Sequence, residues 1–216
     1  MQIVDAAVEH YMRSLAPSRH PVLREMEAYA AEKNFPIIGP MCGRLLYQYA
    51  VMLGAKQVFE MGSGFGYSTF WFATAVGPEG RVVYTDNSEE NSRKAKEFLG
   101  AAGLADRVVF EVGDALDTIR RYEGPFDAIL IDVDKQGYPE ALRLAKERVR
   151  VGGVILTDNV LWSGAVAHPP SDKATEAILE YNRAAYDDPE LLTTILSVRD
   201  GLAVSLRVAD GTESRP

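Results

Sequence analysis

Residues 57–68 read QVFEMGSGFGYS. Val58 and Phe59 continue an apolar run from Ala55 that has strand character. Glu60 ends the run, and Gly62, Gly64 and Gly66 follow at alternate positions. Tyr67, Ser68 and Thr69 then open an apolar segment of helical length. The order is strand, glycine-rich turn, helix. Glycine allows positive φ and lets a ligand approach the main chain closely. The free N–H groups of the helix start face the crevice at the carboxyl end of the strand. A nucleotide-like cofactor is one reading of that crevice; a tight turn without a ligand is the other.

Working outward, residues 81–85 form a second strand with Asp86 at its carboxyl end, 24 residues beyond Gly62. In a doubly wound sheet an acidic residue there reaches the ribose hydroxyls of a nucleotide; otherwise Asp86 starts a turn. Asn87 with Glu90 reads as a capping box for the next helix. A third strand at 107–112 ends in Gly113-Asp114-Ala115. Residues 126–135 read FDAILIDVDK, and the apolar run 128–131 suits a strand buried on both faces. A helix over about 139–148 is expected to stop at Gly152-Gly153. Residues 154–157 then form another buried strand, ending in Asp158-Asn159. Adjacent parallel strands lie ~5 Å apart, so Asp132, Asp158 and Asn159 converge above the sheet edge. Two carboxylates and an amide oxygen are hard ligands for Mg²⁺, Mn²⁺ or Ca²⁺, with Lys135 beside them. Each aspartate taken singly is also a strand-end cap. Trp162, in an apolar loop over 160–167, leans on a flat substrate or anchors the loop. Ser171 caps a helix over 172–186. Asp200-Gly201 is a hairpin signal between strands at 192–198 and 202–208.

Before the glycine loop, residues 2–14 and 22–33 carry amphipathic helical patterns. They read as a cap, a dimer contact or plain packing helices. An extended turn over 35–40 leads to a third helix at about 43–53. At 216 residues one domain is expected, with a helical segment at 1–34, a core at 35–208 and a tail at 209–216. The single cysteine, Cys42, leaves no internal disulfide and no cysteine-based zinc site. No apolar run reaches the ~18 residues of a membrane span, and no signal peptide opens the chain. A soluble, cytoplasmic protein with no membrane partner is expected. A net charge of −8 argues against a nucleic-acid surface.

The chain resembles the class I S-adenosylmethionine-dependent O-methyltransferases, in their metal-dependent catechol and caffeoyl-CoA group. The matching stretches are FEMGSGFGYS (59–68), YTDNS (84–88), LIDVDKQGY (130–138), TDNVLWSGAV (157–166) and DGL (200–202). The resemblance implies an α/β, Rossmann-like doubly wound domain. Its sheet would be seven-stranded and mostly parallel, with an antiparallel last strand, helices on both faces and an N-terminal helical extension. It implies that Glu60, Gly62, Ser63 and Ser68 hold the methionine end of S-adenosylmethionine, with Gly64 and Ile38 alongside. Asp86 would bind the ribose with Asn87 nearby, Asp114 and Ala115 would border the adenine, and Asp132 would also flank the cofactor. Asp132, Asp158 and Asn159 would ligate Mg²⁺ or a similar ion, Lys135 would be the general base, and Trp162 would face a phenolic acceptor. A homodimer is the family expectation. The chain departs from the animal catechol enzymes at Ala203, where they carry a glutamate. Arg13, Arg19 and Arg24 are candidates for a coenzyme A phosphate or for solvated surface. Three alternatives stay open: a hydroxyuridine transfer-RNA methyltransferase, an NAD-dependent dehydrogenase, whose third glycine would fall at Tyr67, and a non-catalytic cofactor-binding or scaffold protein.

Overall fold

The computed structural model describes residues 3–17 and 20–209. Its strands are Gln57–Met61 (β1), Arg81–Asp86 (β2), Val108–Val112 (β3), Phe126–Ile131 (β4), Val149–Thr157 (β5), Leu191–Leu196 (β6) and Leu202–Arg207 (β7). They form one sheet in the order β3-β2-β1-β4-β5-β7-β6. The pairs among β1 to β5 are parallel, and β7 runs antiparallel to both β5 and β6. The doubly wound sheet and the reversed last strand are as expected. From β1 the chain builds outward through β2 to β3, then returns to place β4 on the other side of β1. A crevice opens above the carboxyl ends at such a switch point.

The helices are Ala6–Leu15 (α1), Pro21–Lys33 (α2), Gly39–Met52 (α3), Tyr67–Val76 (α4), Glu89–Ala101 (α5), Ala115–Arg120 (α6), Tyr138–Arg148 (α7) and Lys173–Asp187 (α8). Strand side chains alternate between two apolar layers, as period-two geometry requires. Val58, Ala128, Leu130, Val154 and Leu156 pack with α2 to α5 on one face. Phe59, Met61, Ile129, Ile131 and Ile155 pack with α6 to α8 on the other. Being apolar toward both layers, the central strands read as unbroken hydrophobic runs. α2 buries Val22, Leu23, Met26 and Ala30 in the first layer, whereas α1 buries no side chain. No described helix is long and apolar enough to cross a membrane.

Several expected boundaries move. α3 begins at Gly39 rather than Gly43, because Pro40 fits a first helical turn, where its missing N–H goes unneeded. Ser88, not Asn87, caps α5: its hydroxyl accepts from Asn91 N at 3.2 Å. Asp172, not Ser171, caps α8 by accepting from Thr175 N at 2.8 Å. Gly152 and Gly153 do not stop α7; they lie inside β5, where the pairing with β4 slips between Phe126 and Ala128. A side chain at Gly153 would sit 2.8 Å from Asp127 O, so the irregular register itself requires glycine there. β6 ends at Leu196, two residues short of expectation.

Candidate active site

A cavity of about 600 Å³ opens over the carboxyl ends of β1, β2, β4 and β5. Its lining includes Ile38, Gly62, Ser63, Gly64, Ser68, Asp86, Asn87, Asp114 and Ala115 on one side, and Asp132, Lys135, Asp158, Asn159 and Trp162 on the other. The structure thus gathers the residues singled out by sequence around one space, with Glu60 buried beside it.

The first half is built by β1 and β2. Gly62 has φ +88°, and a Cβ there would lie 2.3 Å from Asp132 O at the end of β4. The close approach of the loop to β4 therefore excludes any side chain at this position. Side chains and backbone of β2 hold the loop. Ser63 N donates to Thr85 O at 2.8 Å, and Tyr84 Oη donates to Gly64 O at 2.6 Å. Asp86 lines the cavity and also braces the turn: Oδ2 accepts from Gly64 N at 3.0 Å, and Oδ1 accepts from Ser88 N at 2.9 Å. Asp114 caps α6 through Asp117 N. Glu60 is fully buried. Its Oε2 accepts from Thr69 Oγ1 at 2.5 Å and from Ser63 Oγ at 3.3 Å, while Oε1 is buried without a partner. Burial pushes this carboxyl up to about 7, against the opposing effect of the Ser68, Thr69 and Ser63 hydroxyls.

The second half stands on β4 and β5. Ile131 pairs with Thr157, which sets Asp132 and Asp158 at neighbouring strand tips. Lys135 follows in a short 3-10 turn, Lys135–Gly137. Its Nζ donates to Asn159 Oδ1 at 2.9 Å, to Asp132 Oδ1 at 3.2 Å and to Tyr138 Oη at 2.5 Å. Tyr138 Oη in turn donates to Asp158 O at 2.9 Å. Asp158 is 2% exposed. Arg199 Nη1 donates to its Oδ2 at 2.9 Å, and its Oδ1 is buried without a partner. Burial first, then the charge of Asp132, pushes the Asp158 carboxyl up to about 6, with Arg199 pulling it down.

Among the described residues no group of three or more His, Cys, Asp or Glu side chains forms a metal cluster. The set here is two carboxylates and an amide. Its chemistry suits a hard divalent ion, and Asp158 Oδ1 is a buried acceptor without a hydrogen-bond partner. These residues fit such an ion.

Trp162 is half-buried at the rim, with Lys135 Nζ 5.8 Å from its ring centroid. Asn159, Trp162, Ser163 and Arg199 all have positive φ, between 45° and 60°. Non-glycine residues held there cost about 1–3 kcal/mol each, a cost found chiefly at functional sites. The loop bearing Trp162 is fastened to the turn before β7. Leu161 N donates to Asp200 O at 2.9 Å, Val160 N donates to Gly201 O at 3.1 Å, and Ser163 N donates to Asp200 Oδ1.

Sequence reading passed over Arg199, Tyr138, Thr69 and Thr85. Tyr138 and Thr85 lie inside the quoted motifs, but only the folded chain shows what their hydroxyls touch. Of the arginines considered for a phosphate, Arg13 pairs with Glu9 at 2.7 Å and Arg24 is exposed on α2. Arg19 lies outside the described residues.

Residues 13–208 match the family model described as O-methyltransferase. The chain is 29% identical over 220 residues to caffeoyl-CoA O-methyltransferase 1 of Eucalyptus globulus, covering 95% of this chain and 89% of that protein. It is 33% identical over 183 residues to catechol O-methyltransferase of Mycobacterium tuberculosis, covering 82% of this chain and 83% of that protein. Among solved structures, TomG of Streptomyces achromogenes, in complex with SAM, superposes with a TM-score of 0.86 at 27% identity, covering 94% of this chain and 96% of that one. The Bacillus cereus O-methyltransferase in complex with SAH does so at 0.84 and 29%, covering 93% and 97%. Neither the dehydrogenase nor the transfer-RNA alternative gains support from these likenesses. On the match over most of its length, the chain belongs to the O-methyltransferase family, and is an S-adenosylmethionine-dependent enzyme.

Proposed function

We propose that this enzyme methylates one hydroxyl of a vicinal diol on a phenolic small molecule, in a reaction that depends on a divalent metal ion. The observation that carries this reading is the meeting of Asp132, Asp158, Asn159 and Lys135 at the tips of β4 and β5, in the same cavity as the glycine loop. The names of the relatives, caffeoyl-CoA and catechol O-methyltransferase, agree with a catechol-like acceptor.

In this reading the glycine loop, held against the end of β4 at Gly62, presents its backbone to the cofactor. Ser63 and Ser68 hold the methionine end, with Glu60 beneath as the counter-charge for its ammonium group. Asp86 binds the ribose, Asn87 lies nearby, and Asp114 and Ala115 border the adenine. Ile38 and Asp132 close the cofactor's flank. Asp132, Asp158 and Asn159 would hold Mg²⁺, Mn²⁺ or Ca²⁺. When bound, such an ion would act as a Lewis acid and lower the pKa of the acceptor's hydroxyls, as it does for water. Lys135 is the general base, and its Nζ takes the proton of the hydroxyl to be methylated. Tyr138 and Asn159 fix the position of that nitrogen. The acceptor oxygen then attacks the sulfonium methyl in line; the new O–C bond forms as the S–C bond breaks, leaving S-adenosylhomocysteine. Holding the reacting atoms about 3 Å apart removes the entropy of encounter. Trp162 lies against the flat ring.

We also propose a homodimer. α1 and α3 touch, and together they expose Val8, Tyr11, Leu15, Tyr47, Val51 and Met52. Apolar side chains exposed together on two neighbouring helices suit burial against a second copy.

The test is an acceptor screen read by mass spectrometry. Catechols, hydroxycinnamoyl thioesters and hypomodified transfer RNA are each offered with S-adenosylmethionine, with and without EDTA. One methyl group on a diol, lost with EDTA, is the expected outcome. Methylation of transfer RNA alone, or of no diol, would overturn the reading.

A further inference from the structure

Arg199 is rooted in the connection between β6 and β7, outside the strand tips that carry the other polar groups of the site. Its φ of 52° and the Gly201 N to Val198 O hydrogen bond of 2.9 Å fix the turn from which its side chain reaches Asp158. The guanidinium takes Asp158 Oδ2 at 2.9 Å and is mostly buried, with 22% of its side chain exposed. Only Oδ1 of that carboxylate is left over. Lys135 meanwhile takes Asp132 Oδ1 at 3.2 Å. The cluster therefore holds two negative and two positive charges, and a divalent ion entering it meets carboxylates already compensated.

We propose that Arg199 is a positioning residue that keeps Asp158 in a one-oxygen pose and weakens the free protein's hold on the divalent ion. This rests on the metal-dependent reading above. The ion is then loosely held until an ionised diol adds negative charge beside it. Like charges within a few ångströms repel strongly in a site of low effective dielectric, and removing one is worth about tenfold or more in affinity. Arginine is suited to the role because its guanidinium stays charged and its planar fork holds a carboxylate in one orientation.

The experiment is a Mn²⁺ titration followed by the electron paramagnetic resonance of the free ion. The full-length protein is compared with Arg199→Gln, Arg199→Met and Arg199→Lys, each first shown folded by its thermal transition. Arg199→Gln and Arg199→Met are expected to bind Mn²⁺ about tenfold tighter than the parent, and Arg199→Lys within about threefold of it, since only the first two remove the charge. With catechol and S-adenosylhomocysteine present, the gap between parent and Arg199→Gln should shrink. Equal or weaker binding by both neutral variants overturns the proposal while leaving the metal reading intact. Loss of fold in both neutral variants assigns Arg199 to structure alone and also overturns it. If no protein in the series binds Mn²⁺, the metal-dependent reading falls and this inference with it.

Discussion

In the proposed reaction Lys135 is the side chain on which the chemistry turns, and its surroundings explain why. It touches Asp132, Asn159 and Tyr138 at once, so its nitrogen has one well-defined place. Lys135→Ala is expected to lower kcat by about 10²–10⁴, the usual worth of a general base, with thermal stability little changed. A variant that keeps parental turnover would remove Lys135 from the mechanism. Glu60 offers a second test, through pH. Its carboxyl is raised from 4.5 to about 7 by burial. Below about pH 4.5 both the folded and the unfolded chain carry the proton, and the contribution to stability is fully present. Between there and about pH 7 only the unfolded chain ionises, so stability drains away as pH rises, by on the order of 3 kcal/mol in total. Urea unfolding of the cofactor-free protein should show Glu60→Gln gaining on the parent between pH 5 and pH 8. A constant difference across that range would mean that Glu60 is not held neutral. At this scale the sequence was informative where a polar residue ends an apolar run, as at Asp132 and Asp158. Arg199 was illegible because its partner lies 41 residues away on a separate element, and no local pattern marks that pairing.

At the scale of elements, the site depends on two close backbone approaches. Gly62 lets the glycine loop lie against the end of β4. Gly201 lets the turn before β7 lie against the loop that carries Trp162. Gly201 has φ +88°, and a Cβ there would fall 2.5 Å from Leu161 Cγ and 2.9 Å from Leu161 N. Gly201→Ala should therefore cost about 2 kcal/mol or more in urea unfolding. It should also shift tryptophan emission as the loop around Trp162 moves. Unchanged stability and emission would show that the turn and loop are not so fastened. Strand ends were easier to read than helix starts. The polar tips of β4 and β5 lie where expected because buried runs stop where charge begins, whereas β1 runs through the buried Glu60 to Met61, one residue past the expected end. The start of α3 and the caps of α5 and α8 were misplaced by one to four residues, since several neighbouring residues could each cap or open a turn. Gly152-Gly153 misled for a different reason: a glycine pair that serves an irregular strand looks the same in sequence as one that ends a helix.

Over the whole molecule, alternating strand and helix signals made the doubly wound sheet legible from the chain alone. The place of β7 between β5 and β6 was not, because pairing partners in an antiparallel pair are chosen by packing far from the hairpin. The layered core brings the two halves of one cavity together, on β1–β2 and β4–β5, and the proposed reaction gives the first to the cofactor and the second to the acceptor. α1 touches α3 but buries no side chain. Replacing Tyr11 and Met52 together by glutamate should convert a dimer into a monomer in sedimentation equilibrium; a parent that is monomeric at about 10 µM would refute the dimer, since a stable interface of this kind binds more tightly than that. The claim most exposed to a single measurement is that a divalent ion at the tips of β4 and β5 activates the acceptor. Methyl transfer from S-adenosylmethionine to a catechol should be measured on protein stripped with EDTA, then again after Mg²⁺ is restored. A fall of about 100-fold or more on stripping, and recovery on restoration, is expected; turnover that the chelator leaves untouched would rule out a metal-activated acceptor.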